Sequence, residues 1–445
     1  MDVYQEYKGK CCTADQAVQV VKDGDWVDYG MSCAYPTALD KALARRQGDL
    51  KDIKVRNAIS CHPVAILEAD PENETFTYNL WHCSAIDRKY LDAGRAYHEP
   101  MLFRDCGSYY TRGFAPVNVA MITVAPMDRH GNFSFGLTNG CTQEMLDAAE
   151  TIIVEVNPNM PVVFGMGSDH IHVSKVHAIV ESQEAVSLAP NREPSAIDKQ
   201  IAENIFPYLH DGITLQLGIG GMPNALGILI AESDLKDLGM HTELMSDGYL
   251  NLYKAGKITN DKKPFQRGKG VFSICMGSKE LYEFLDHNQD VLSAPMHHVN
   301  NPETIRQLDD FISINSCIAA DLYGQVCSES AGTRHISGTG GQLDFVTGAY
   351  AADHGKAFLA MPSSRIDKKG IRHSNILPKF TAGDIITTPR TQAPYMVTEY
   401  GVANLSGLAT WQRAEALINI AHPDVREDLI KAAEAQHIWR RSNKC

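Results

Sequence analysis

Residues 23–39 read DGDWVDYGMSCAYPTAL, and residues 211–226 read DGITLQLGIGGMPNAL. Each stretch has Asp-Gly, five residues, a glycine (Gly30 or Gly218), a short spacer and Pro-x-Ala-Leu. A second pair follows each of them. Residues 122–136 are ITVAPMDRHGNFSFG and residues 314–328 are INSCIAADLYGQVCS, so Asp128 and Asp321 each stand three before a glycine. Gly24 lies 104 positions before Asp128, and Gly212 lies 109 before Asp321. Two related segments in one order at similar spacing are the mark of an internal duplication. Two homologous domains are expected, 1–195 and 200–445, joined by the polar stretch 187–195.

Within each half, β-rich runs alternate with helical ones. Thr151-Ile-Ile-Val-Glu-Val156 and Ile213-Thr-Leu-Gln-Leu217 read as strands bounded by turn signals. Pro223 to Glu232 reads as a helix, since proline is tolerated in a first turn. Alternation of this kind predicts an α/β fold with largely parallel sheets in both domains. The turn-bounded strand Asn132–Gly136 adds some antiparallel pairing, and Asp247-Gly248 reads as a turn.

The chain has 445 residues, 44% hydrophobic and 21% charged, which fits a soluble globular protein of two or more domains. A net charge of −13 argues against nucleic-acid binding, which needs a basic face. The short basic run 440–444 reads as a solvated end. No stretch reaches the roughly 18 apolar residues of a membrane span. The start MDVYQEYKGKCC lacks the apolar core of a secretory signal, so a cytoplasmic location is expected. Eleven scattered cysteines with no C-x-x-C favour reduced packing residues over disulfides or a zinc ribbon. Cys33 and Cys317 fall beside the repeated motifs.

Gln216-Leu-Gly-Ile-Gly-Gly-Met-Pro223 joins a strand to a helix. Its glycines let backbone approach a ligand, and a helix start offers free N–H groups for a phosphate or an oxyanion. A tight structural turn accounts for it equally well. No G-x-x-x-x-G-K-[ST] is present, and Pro223 stands where a dinucleotide fingerprint needs glycine. Glu243, in His241–Gly248, is 25 positions after Gly218, where a strand end would offer a carboxylate to a ligand. By residue type alone it is more readily a surface or capping residue, although a carboxylate can be a covalent nucleophile. Gly338–Phe345 is a second glycine-rich turn. His170 and His172 share one face of a strand without a third metal ligand nearby, and read as structural. Trp81-His82 reads as packing.

Taken together, these segments resemble the acetyl-CoA hydrolase/transferase branch of the family I CoA-transferases over nearly the whole chain. The resemblance rests on the paired Asp-x-x-Gly segments, Gly218-Ile-Gly-Gly-Met222 and Glu243 with Ser246-Asp-Gly248. It continues through Asn300-Asn-Pro302, Ile314-Asn-Ser316, Gly340-Gly-Gln-x-Asp-Phe345, Thr387-Thr-Pro-Arg390, Val397-Thr-Glu-Tyr-Gly-Val-Ala403, Ala421-His-Pro423 and Arg426. The family commonly has Leu-Arg-Gly where this chain has Leu405-Ser406-Gly407, so no contact of that arginine carries over.

The resemblance implies that CoA moves between a short-chain acyl-CoA, expected to be butyryl-CoA, and acetate. It implies ping-pong kinetics through a glutamyl-CoA thioester on Glu243. It assigns Gly218, Ile219, Gly220, Gly221, Met222, Ile318 and Gly341 to CoA or oxyanion contacts, and Asn300 to a substrate or oxyanion contact. No metal or separate cofactor is implied, because CoA thioester is itself a substrate, and a homo-oligomer is expected. The alternatives are a 4-hydroxybutyrate CoA-transferase and an acyl-CoA hydrolase with the same residues. A nucleotide-dependent dehydrogenase built on the Gly218 turn, or a catalytically silent CoA-binding subunit, would come from other classes.

Overall fold

A computed structural model describes residues 2–189, 193–393 and 395–442. Residues 190–192 of the expected linker and residues 443 and 444 of the basic tail lie outside the described residues. Contacts group the chain into two units. One holds 1–190, 243–245 and 271–299; the other holds 191–242, 246–270 and 300–445. Among the described residues, no helix is long and apolar enough to cross a membrane.

The first unit is built on a seven-stranded sheet. Its strands are β1 (Trp26–Met31), β2 (Ile53–Ala58), β3 (Phe76–Leu80), β4 (Ala96–His98), β5 (Val119–Val124), β6 (Thr151–Val156) and β7 (Ala178–Glu181). They lie in the order β4-β3-β2-β1-β5-β6-β7, and every neighbouring pair is parallel. A parallel sheet is covered on both faces, which is why β5, Val-Ala-Met-Ile-Thr-Val, is buried at all six positions. The strand expected near residue 132 forms as Asn132–Ser134, antiparallel to His170–His172. Ile171 points into the core, His170 pairs with Asp169 and His172 with Ser174.

Two polar groups inside this unit decide how it is held. Asp28 and Arg56 are register partners on β1 and β2, and both are buried. Arg56 Nη1 lies 3.2 Å from Asp28 Oδ2, and its Nε lies 3.2 Å from Glu99 Oε2. Tyr110 and the Gly30 amide also donate to Asp28, while Trp26 and Trp81 stack on the guanidinium. Burial drives the Asp28 carboxyl upward even with Arg56 beside it.

Glu155, at the fifth position of β6, accepts the amides of Ala38 and Leu39 at 2.9 and 3.1 Å. It thereby caps α1 (Thr37–Ala44), whose preceding residue Pro36 has no capping side chain. Burial pushes the Glu155 carboxyl up to about 7. Because this folded value exceeds the unfolded one, its contribution is full below about pH 4.5 and is lost as pH rises through 7. Glu155→Gln keeps the acceptor and removes the charge. Its stability relative to wild type should therefore rise by about 1–3 kcal/mol between pH 4.5 and 8, read from urea melts at both values. A pH-independent difference would show that the carboxyl does not titrate in the fold.

In the second sheet, β8 (Thr214–Leu217), β9 (Gly239–Met245), β10 (Phe311–Ser316), β11 (Lys356–Ala360), β12 (Tyr395–Thr398) and β13 (Gly401–Asn404) run in the order β9-β8-β10-β11-β12-β13. All pairs here are parallel except the β12-β13 hairpin. The first sheet has the same winding, with β2-β1-β5-β6-β7 matching β9-β8-β10-β11-β12. The repeated aspartates build one turn twice. Asp128 Oδ1 accepts the amides of His130 and Asn132, and Asp321 Oδ1 those of Tyr323 and Gln325. Gly131 and Gly324 sit in these turns at φ 88° and 84°, where a side chain would be strained.

Asp247-Gly248 does not form an isolated turn. It opens the helix Asp247–Lys254 after Ser246, with Asp247 at the positive helix end. Gly248 lies beside Gly227 of the neighbouring helix: a Cβ built on Gly227 would meet the Gly248 Cα at 3.7 Å, an ordinary contact distance. The motif 397–403 is the β12-β13 hairpin itself. Glu399 accepts the Ser363 amide and hydroxyl at 2.8 and 2.6 Å, and Thr398 Oγ1 donates to the Ile420 carbonyl. Leu405 is buried below the turn that follows, whereas Ser406 is exposed and its amide bonds Asn404.

Candidate active site

Strand β8 delivers the first glycine turn. Its final amide, on Leu217, donates to the buried Tyr249 hydroxyl at 2.8 Å, and that hydroxyl lies 3.2 Å from the Leu215 carbonyl. The next amide, Gly218, bonds Ile314 on β10 at 2.9 Å. A Cβ at Gly218 would stand 3.2 Å from Asn315 Oδ1 and 3.4 Å from the Ile314 carbonyl, so the turn lies directly on β10. The chain then rises into solvent: Ile219 is 58% exposed and Gly220 is open on all sides. Gly220 has φ 121° and ψ −174°, which only glycine adopts without strain.

Gly220 is also the capping position of α3 (Gly221–Glu232), and it has no side chain to satisfy the first amides. A helix start without a side-chain cap suits an anion. Met222 is buried, whereas Gly221 is half-buried against the Asp198 carboxylate, where a side chain would collide. Asp198 belongs to α2 (Ala196–Ile205) and is bound to Ser195 in a capping box. Gly220→Ala should lower the transfer rate on the order of 10–10²-fold, with a strain cost of about 1–3 kcal/mol. Steady-state kinetics beside a melting curve would check this; unchanged kinetics would remove the turn from the site.

Beneath the turn lies a polar network that the sequence reading missed. Gln216 and Asn315 exchange two amide hydrogen bonds, Nε2 to Oδ1 and Nδ2 to Oε1, each 3.0 Å. Ser313 donates to Gln216 Oε1 at 2.6 Å and accepts from Asn315. Ser313 and Asn315 alternate with isoleucines in Phe-Ile-Ser-Ile-Asn-Ser, an alternation of polar residues in an otherwise enclosed strand that could have flagged them.

The second glycine turn ends at Gly341, the buried cap of α4 (Gln342–Ala351). Gln342 reaches the Ser316 carbonyl at 3.5 Å, so this helix start stands at the carboxyl end of β10 with the Gly218 turn. Ile318 follows on the same edge, half-buried, but its amide is already bonded to Cys327 at 2.9 Å. Asn300 is wholly enclosed, at 0% exposure. Cys317 is buried, and burial pushes its thiol well up.

Glu243 stands near the carboxyl end of β9. Positions 239–245 are buried at every residue but this one, which is half-buried. Contacts group Glu243 with the first unit and the glycine turns with the second. Elsewhere, Trp81 is packed, its indole bonding Glu99 at 2.6 Å, and His82 lies against Phe103.

The pattern for the acetyl-CoA hydrolase/transferase N-terminal domain matches residues 1–190, and that for the C-terminal domain matches 277–433. The chain belongs to the acetyl-CoA hydrolase/transferase family. Among its acetyl-CoA hydrolase/transferase relatives, a butyryl-CoA:acetate CoA-transferase from Anaerostipes caccae is 47% identical over 446 residues, covering 100% of both chains. A 4-hydroxybutyrate coenzyme A transferase from Clostridium kluyveri is 38% identical, covering 97% of this chain and 98% of its own. The crystal structure of RipA from Yersinia pestis matches with a TM-score of 0.90 at 34% identity, over 98% of this chain and 100% of that one. This membership accounts for the duplicated winding, whose carboxyl strand ends supply the glycine turns and the half-open glutamate.

Proposed function

We propose that this protein is a CoA-transferase exchanging CoA between a short-chain acyl-CoA, foremost butyryl-CoA, and acetate. One observation carries the mechanism: Glu243 is the single partly open residue of a strand otherwise enclosed throughout. A carboxylate there has a desolvation cost that a passive surface glutamate avoids, and it stands at a strand end, where α/β folds hold ligands. The relatives named for butyryl-CoA and acetate, aligned over their full length, support the substrate class.

In this reading Glu243 attacks the acyl-CoA carbonyl, and the tetrahedral adduct expels CoA as the thiolate, leaving a mixed anhydride. The thiolate attacks the glutamyl carbonyl, giving a glutamyl-CoA thioester and releasing the first carboxylate. An incoming acetate attacks that thioester and reverses the sequence, giving acetyl-CoA. Each tetrahedral step develops an oxyanion, which needs fixed hydrogen-bond donors. The group transferred is CoA itself, so the reading calls for no metal or nucleotide. Following the family resemblance, we extend the proposal to a cytoplasmic homo-oligomer.

Borohydride reduction of enzyme incubated with butyryl-CoA alone tests the intermediate. Peptide mapping should find the glutamyl side chain reduced to an alcohol at Glu243. Modification at another residue would refute the assignment. Acetate-independent CoA release would make the protein a hydrolase, and a panel of carboxylate acceptors including 4-hydroxybutyrate would rank the substrates.

A further inference from the structure

We propose that Asn315 is a positioning residue for acyl-CoA, its carboxamide being the floor that holds the Gly218 turn. This rests on the reading of that turn as part of a CoA-transfer site.

The duplication supplies the comparison. With Gly24 level with Gly212, Asp28 corresponds to Gln216 and Gly30 to Gly218. Strand pairing carries the match across each sheet. Asp28 is the register partner of Ala120 on β5, and Gln216 is that of Ser313 on β10. Two residues further on, Ile122 corresponds to Asn315. The contact beneath the glycine repeats as well. A Cβ built on Gly30 would meet Ile122 Cγ2 at 3.3 Å, and one built on Gly218 would meet Asn315 Oδ1 at 3.2 Å.

The chemistry of the two floors differs. In the first half Ala120 and Ile122 are apolar and wholly buried, and Asp28 is turned to Arg56. In the second half Ser313 and Asn315 hold those places, and both bond Gln216. Polar side chains inside a parallel sheet have a desolvation cost that methyl groups avoid, and the first half builds the same winding without them. Such departures from core packing gather where a site is built. Asn315 is half-buried and Ser316 is exposed, so this floor reaches the surface. β8 and β10 also flank the switch point of their sheet, since β9 lies on one side of β8 and β10 on the other. That crevice is where α/β folds hold ligands.

The carboxamide is locked in place. Asn315 Oδ1 accepts from Gln216 Nε2, and Asn315 Nδ2 donates to Gln216 Oε1 and to Ser313 Oγ, each at 3.0 Å. Both of its N–H groups are engaged within the clasp, and Oδ1 is held beneath Gly218. A fixed floor sets the turn before CoA arrives, which lowers the ordering cost of binding.

Isothermal titration of CoA into the full-length protein tests this, with butyryl-CoA kinetics beside it. Asn315→Ile installs the residue of the first half and should weaken CoA binding on the order of 10-fold, raising KM for butyryl-CoA more than it lowers kcat. Ser313→Ala, the milder change, should weaken binding about threefold. Because both act through one clasp, the double variant should bind no more weakly than Asn315→Ile alone. Wild-type CoA affinity in a folded Asn315→Ile protein would overturn the proposal, as would losses that simply add. If Asn315→Ile does not fold, Ser313→Ala decides, and an unchanged affinity there overturns it. A wild type that binds CoA without transferring it would instead defeat the transfer reading and leave this test in force; a wild type without CoA affinity would end both.

Discussion

Glu243→Gln is expected to lower kcat for transfer from butyryl-CoA to acetate by at least about 10³-fold, because the amide cannot be acylated and released as a carboxylate can. The side chain is half-buried, while its strand neighbours Thr242 and Leu244 supply the packing, so the melting temperature should move little. The variant should also show no borohydride-dependent modification after incubation with butyryl-CoA. Glu243→Ala guards against slow deamidation of the introduced glutamine. Retention of more than a tenth of wild-type activity in the alanine variant, with the fold intact, would remove Glu243 from the chemistry.

The largest effect on stability is expected at Arg56. Arg56→Ala leaves Asp28 buried at 1% exposure with its ionic partner gone, and strips the cation from the faces of Trp26 and Trp81. Loss of one member of a buried pair costs about 3–5 kcal/mol. The double variant Asp28→Leu, Arg56→Met should recover most of that, since replacing both charges removes the unpaired one. The deficit of the single variant should also grow with pH. Burial already raises the Asp28 carboxyl, and without Arg56 it rises further, so stability is kept while the group is protonated and is lost as it ionises. Urea denaturation of the wild type and both variants at two pH values would measure this. A double variant no more stable than Arg56→Ala would show that the ion pair itself, and not the orphaned charge, matters.

Much of the fold was legible because duplication and strand–helix alternation are written in local patterns. Thr151–Val156 is a strand as expected, and the helix after Gly218 contains the whole of Pro223–Glu232. Asp128 and Asp321 announced their turns because an Asp carboxylate bonding amides two and four residues on is a local event. Asp247-Gly248 misled for the opposite reason. Turn composition suggested a break, whereas the pair opens the helix Asp247–Lys254, in which Gly248 is buried. The motif 397–403, the most specific mark of the family, proved to be a hairpin tied to Ser363 and Ile420, so its specificity reflects construction.

The candidate site divides in the same way. The glycine turn between a strand and a helix is visible in Gly218-Ile-Gly-Gly-Met222, since glycine content and helix start lie within eight residues. Its support by Asn315 and Gln216 is not, because those residues are 99 positions apart and meet only when β8 and β10 pair. The engagement of the Ile318 amide by Cys327 likewise depends on a strand pairing.

By itself, then, the chain of residues determined what repeats along it: the duplicated α/β winding, the glycine turns, and the family to which they belong. Tertiary structure alone decided burial and partnership. It left Glu243 the one half-open residue of its strand, hid Asn300, and set Gln216 against Asn315. The physical reason is range: turns and helix starts follow from bonds over a few residues, whereas exposure and side-chain partnership depend on strands brought together from distant parts of the chain.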